Sequence, residues 1–191
     1  MASEERIKLF GMSHALVERD LDKIEKELAI DLQRFTADEK DEQYYPQFEH
    51  ELRVEAARMG KQYELFYCLE QSIRRLIADT LAAAQGSNWW TTQVPPNIQT
   101  NVKENIQREV DSGVTSRSDR EIDFTTFGEL GEIVRSNWVN FDTIFSSQKA
   151  FTKIMTSLNM LRGPIAHCCP LSEDEIVRLN LTLKDWYRLM E

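Results

Sequence analysis

Apolar residues recur at steps of three and four along most of this chain, and that spacing constrains its fold more than any other feature. The clearest case is Leu65, Leu69, Ile73, Leu76, Ile77 and Leu81, which together make a broad apolar face on a helix. The pattern predicts a long helix from about Gln47 to Ala84, ended by Gly86-Ser87-Asn88, with its second half central in a bundle. No stretch shows the period of two that a half-buried strand requires.

The same reasoning places the other elements. Between Phe10 and Phe35, the residues Val17, Leu21, Ile24, Leu28 and Phe35 form a narrow stripe that needs a partner helix. Thr36 to Pro46 is a charged break. The stretch from Trp89 to Asn97 reads as a loop because of its prolines, and Asn97 to Val110 as a short helix. Asp111 to Asp119 is expected to be a flexible polar connection. Thr126-Phe127-Gly128-Glu129 is a capping-box pattern that starts a helix reaching about Trp138. Another helix is predicted from Ser147 to Arg162, with Phe151, Ile154, Met155, Leu158 and Leu161 facing inward. The last begins at Ser172, where Glu175 completes a second capping box and Leu171 and Ile176 are placed to staple it. The expected fold class is all-α: a four-helix bundle over residues 60–191 with an N-terminal helical extension over residues 1–59.

Composition narrows the functional classes. Hydrophobic residues make up 41% of the 191, and no apolar run approaches the ~18 residues of a membrane span, so a soluble globular protein is expected. The polar, acidic start Met-Ala-Ser-Glu-Glu-Arg does not read as a signal or transit peptide. Three cysteines, with Cys168 and Cys169 adjacent and Cys68 distant, argue for reduced thiols in the cytoplasm. The net charge of −9 argues against a broad basic surface for nucleic acid. Its acid is concentrated early, with −6 over residues 1–60 and balance over residues 150–191 before His167 is counted. Any nucleic-acid contact should therefore be local and salt-sensitive.

The chemistry concentrates in Leu158-Asn159-Met160-Leu161-Arg162-Gly163-Pro164-Ile165-Ala166-His167. An offset of five residues on a helix turns two side chains roughly 140° apart. Pro164 lacks the N–H that would bond Met160, so the helix is expected to kink or restart there and bring Arg162 and His167 toward one spot. A fixed guanidinium fork and a group titrating near neutral pH suit a phosphodiester. The plainer reading has the histidine finish a helix and the arginine pair with an acid.

The string LRGPIAH, followed by Pro170-Leu171-Ser172-Glu173-Asp174-Glu175, resembles the signature segment of the HEPN superfamily, small helical domains that include many ribonucleases. It is most similar to the branch found fused to PIN-type nucleases in eukaryotic RNA quality control and standing alone in bacteria and phages. Asn88-Trp89-Trp90 ahead of Val94-Pro95, the segment from Phe124 to Leu130, and Asn137-Trp138 extend the resemblance over residues 60–191. It implies metal-independent RNA cleavage with no cofactor, His167 moving the proton and Arg162 holding the phosphate in a catalytic pair. It also implies a homodimer, because one pair supplies only one acid–base group. A toxin, phage-defence or RNA-turnover role follows, with an antitoxin or other protein as a partner through the N-terminal helix.

One departure is Gly163, where many active members carry a polar residue. Asn159, one turn before Arg162, is the candidate to take its place at the substrate, or else an ordinary polar helix residue. The alternative function is a non-catalytic HEPN module binding RNA, a nucleotide or a protein, and a third is a structural adaptor working through the stripe at 17–35. His167-Cys168-Cys169 makes a poor metal site, since adjacent residues rarely converge on one ion. Trp89 and Trp90 either stack on bases or plug the bundle end, and Arg74-Arg75 with Lys103 and Arg108 form either a basic rim or solvated faces.

Overall fold

The computed structural model describes residues 47–191 together with Asp20, Leu21 and Ile24. The stripe and break expected over residues 10–46 lie, apart from those three positions, outside the described residues. Helices follow one another as α1 (His50–Gln85), α2 (Trp89–Gln93), α3 (Pro96–Asp111), α4 (Phe127–Ser136), α5 (Gln148–Ala166) and α6 (Glu173–Leu189). Among the described residues there is no strand, and the fold is all-α. Residues Glu51–Glu191 form one unit around a single core.

The long first helix is present and buries Phe66, Leu69, Ile73, Ile77 and Leu81, while Leu65 and Leu76 pack at the edge of the core. Each fully buried side chain of this size contributes roughly 1.5–3 kcal/mol. Helix α5 buries Phe151, Ile154, Met155, Leu158 and Leu161 as the apolar spacing required. It packs on α4 and α6. Where α5 begins, Phe145 lies 4.9 Å from Phe151 and 5.3 Å from Trp186, ring centre to ring centre, so aromatic packing ties the connection before α5 to α6.

Caps set the helix starts. Thr126 Oγ1 accepts the Glu129 N–H at 3.3 Å and the Glu129 carboxylate accepts the Thr126 N–H at 2.6 Å, a complete capping box. At Ser172 only half the box forms: its hydroxyl accepts the Glu175 N–H at 3.4 Å, while the Glu175 carboxylate turns to Arg178 at 3.3 Å. Leu171 is buried and Ile176 packs on the core, the two positions expected of a staple.

Three expectations need correction. The stretch after Asn88 is a short helix, α2, whose Thr91 and Thr92 hydroxyls both donate to the Asn88 carbonyl at 3.0 Å. Only Val94 and Pro95 are extended, as residues preceding proline must be. The polar connection after α3 is fastened rather than loose, because Arg117 pairs with Glu109 and its guanidinium lies 5.1 Å from the centre of the Phe124 ring. Helix α5 does not restart at Pro164 but runs through it to Ala166. Proline there removes one hydrogen bond from the last turn, where a helix is already losing partners, so the cost stays small.

Candidate functional site

Arg162 is positioned by a contact that crosses the bundle. Its Nε donates to Glu70 Oε2 at 3.1 Å, from α5 to the middle of α1. The other carboxylate oxygen, Oε1, accepts from Arg74 at 2.5 Å, one turn further along α1. Arg74 is buried, and it donates to the Ile122 carbonyl, to Thr125 Oγ1 at 2.8 Å and to the Thr125 carbonyl at 2.9 Å. A chain of polar contacts thus runs from the turn Glu121–Phe124 through Arg74 and Glu70 to Arg162. Every link in it is charge-assisted, the stronger class of hydrogen bond.

This arrangement leaves the guanidinium aimed. Glu70 holds the Nε edge, and among the described residues no acceptor is bonded to Nη1 or Nη2. The Arg162 side chain is 38% exposed against 15% for Glu70, so the arginine is the member of the pair more open to solvent. Two arginines and one carboxylate sum to a single positive charge at this place. A partly desolvated cation with a free, planar pair of donors is suited to a phosphate or carboxylate.

His167 is the residue at which α5 stops. Its N–H donates to the Gly163 carbonyl at 3.1 Å, and Cys168 follows in the left-handed region at φ 54°. The Cys169 N–H then returns to the Pro164 carbonyl at 2.9 Å and the Cys168 N–H to that of Ile165 at 3.5 Å. These two bonds are the paired closure of a Schellman ending, with cysteine where glycine is usual. The His167 ring is exposed and makes no side-chain hydrogen bond among the described residues. Because the helix continues through Pro164, the five-residue offset from Arg162 is kept, and the two side chains face different ways within one chain. The spot expected to receive both is not formed by a kink.

Asn159 is exposed on α5, three residues before Arg162 and on the same side. It lines a cavity of about 160 Å3 between α4 and α5 with Gly128, Gly131, Arg135 and Thr156. Asn159 and Arg162 thus share one side of α5, while His167, at the helix end, keeps its five-residue offset from Arg162. Trp90 is buried and Trp89 packs on the core at 5.6 Å from it, edge to face, so these rings close the bundle. Arg74 is a buried clamp, neither rim nor solvated face, whereas Arg75, Lys103 and Arg108 are exposed.

Glu70 and Arg74 were not legible as part of a site. The available signal is an acid–base pair four residues apart on an otherwise apolar helical face, each member directly after a core residue, Leu69 or Ile73. Among the described residues no group of three or more His, Cys, Asp or Glu side chains is placed to hold a metal ion. No helix of the described residues is long and apolar enough to cross a membrane.

Asn137, singled out beside Trp138, is buried and donates through Nδ2 to the Gln93 carbonyl at 2.9 Å and the Ile133 carbonyl at 2.8 Å. It ties the end of α2 to the end of α4. The segments of resemblance therefore meet in space around one bundle. Comparisons with curated proteins and with solved structures give no match. Comparison with protein families matches residues 64–191, two thirds of the chain and all of the elements just described after the start of α1, to Swt1-like HEPN. The chain belongs to the Swt1-like HEPN family.

Proposed function

We propose that the protein is a metal-independent endoribonuclease in which Arg162 holds the scissile phosphate and His167 moves the proton. Membership of a HEPN family supports a nuclease- or RNA-related module. The observation that carries the finer reading is the Arg162 guanidinium, gripped at Nε by Glu70 while its side chain stays 38% exposed and its terminal nitrogens bond no acceptor among the described residues. In this reaction the neutral imidazole of one His167 takes the proton of a ribose 2′-OH. The 2′-oxygen attacks the adjacent phosphorus, and the P–O5′ bond breaks. The 5′-oxygen leaves with a proton from a second, protonated imidazole, and the products are a 2′,3′-cyclic phosphate and a 5′-OH. Arg162 donates two hydrogen bonds to the phosphoryl oxygens as their charge grows.

A single chain supplies one imidazole on a different face from its own Arg162. The reading therefore requires a homodimer in which His167 of the partner subunit completes the pair across a two-fold axis. Asn159 would contact the substrate beside Arg162. A toxin, phage-defence or RNA-turnover setting is consistent with such an activity.

The purified protein should cleave RNA in the presence of EDTA and leave 2′,3′-cyclic phosphate ends. His167→Ala and Arg162→Ala should each reduce cleavage at least a hundredfold. Intact RNA with wild type and both variants alike, across single strands and hairpins, overturns the reading. The exposed, unengaged His167 and the glycine at 163 favour a second reading, a HEPN module that binds RNA without cutting it. Binding lost on Arg162→Ala, without cleavage by wild type, identifies that case.

A further inference from the structure

Tyr63 and Tyr67 on α1 are 60% and 54% exposed, and their rings lie 6.1 Å apart, centre to centre, with planes 32° apart. Singly exposed aromatic residues need no explanation. This pair is different because of where it stands. Tyr63 precedes Glu70 by seven residues and Tyr67 precedes it by three, so both rings share the helix face that presents the carboxylate holding Arg162. Along the axis they lie about 10 Å and 5 Å from Glu70.

The opposite helix brings the other half of the site to the same level. Arg162 meets Glu70, and nine residues later the Leu171 N–H meets the Met59 sulfur at 3.4 Å. The chain from Arg162 to Leu171 therefore runs along α1 from Glu70 back to Met59. His167 lies in sequence between those two contacts, as Tyr63 and Tyr67 lie between Met59 and Glu70. Tyr67 and Tyr63 thus stand about one and two helical turns from the residue that holds Arg162, on the same face of α1.

We propose that Tyr63 and Tyr67 are a stacking platform for the unpaired bases of single-stranded RNA, a subsite that rests on the reading of Arg162 as the phosphate ligand. Aromatic rings bind any base through its face, and this works only where the base is free of its own stack. The charge balance points the same way. A chain of net charge −9 with one surplus positive charge at the crossing cannot hold RNA by its backbone alone. Stacking supplies affinity that charge does not. It also gives preference for single strands over duplexes, whose bases are hidden.

The test uses the full chain and two fluorescein-labelled 12-mers that cannot be cleaved, a 2′-O-methyl oligoadenylate and the same strand with abasic residues at its centre. Fluorescence anisotropy should show wild type binding the first at least tenfold more tightly than the second. The double variant Tyr63→Ala/Tyr67→Ala should lose that preference and bind both strands alike. Tyr63→Phe/Tyr67→Phe should retain it, since the ring and not the hydroxyl does the stacking. Arg162→Ala should weaken both strands by the same factor.

A preference that survives the alanine pair overturns the platform, as does its loss in the phenylalanine pair. An alanine pair that changes the mass of the particle in light scattering without changing the preference also overturns it, and assigns the rings to a contact between copies. Should Arg162→Ala leave both affinities unchanged, the phosphate reading itself falls, and the placement beside it falls too.

Discussion

Cys168 shows how much of this molecule is decided by single residues. A side chain at φ 54° pays roughly 1–2 kcal/mol for its Cβ, a cost glycine escapes, and the Schellman closure after α5 demands that conformation. Cys168→Gly should raise stability by up to about 1 kcal/mol, the greater freedom of unfolded glycine offsetting part of the relief. For a chain of this length that is a rise of ~2–4 °C in the thermal midpoint, readable by circular dichroism. A fall in the midpoint would show that the cysteine side chain makes a compensating contact. Glu70 is the other decisive residue, and it was illegible. An acid on a helix is a surface residue by default, and Arg162, its partner, lies 92 positions away. Sequence spacing shows which residues share a helix face, not which faces meet.

At the level of elements, legibility followed length and capping. Helices α1, α5 and α6 each show several turns of apolar periodicity, and their limits fell close to expectation. Thr126 and Ser172 were readable as starts because the cap is written in residues three apart. Helix α2 is hard to read because five residues hold less than two turns, and Pro95 and Pro96 signal the break after it but not the helix itself. Pro164 misled for a related reason: a proline in a last turn looks in sequence like one that breaks a helix.

The turn Glu121–Phe124 carries the acceptors for Arg74, so its own fastening matters to the site. The Arg120 guanidinium bonds Asp123 at 2.7 and 2.9 Å and, with the Ser118 hydroxyl, holds its carboxyl below the usual range despite the burial that opposes this. A carboxyl whose folded pKa is lowered stabilises the fold above its unfolded pKa of ~3.9, and that contribution is lost as pH falls through the lower folded value. Asp123→Asn should therefore be less stable than wild type at pH 7, by less than about 1 kcal/mol because Arg120 is half exposed. The difference should shrink as pH drops below ~4. Urea unfolding of both proteins from pH 7 to 2.5 checks this. A gap that stays constant with pH would mean that the charge is not what fastens the turn.

For the molecule as a whole, the family and the all-α fold were accessible from periodicity and motif, whereas the alignment of the candidate site was not. That alignment depends on two contacts made with α1, Glu70 with Arg162 of α5 and Met59 with Leu171 of the connection that follows α5. Mechanically, these contacts are the two abutments of a short span that has His167 in its middle. Releasing either end should loosen the whole span while leaving the rest of the bundle firm. Glu70→Gln and Met59→Ala, eleven residues apart and chemically unlike, should then produce one shared signature: faster hydrogen exchange at the amides of His167, Cys168 and Cys169, with the core of α1 unchanged. Exchange confined to the neighbourhood of each substitution would show that the ends are independent. The histidine, which is held by no side-chain bond of its own among the described residues, would owe its place to two residues with which it shares no hydrogen bond.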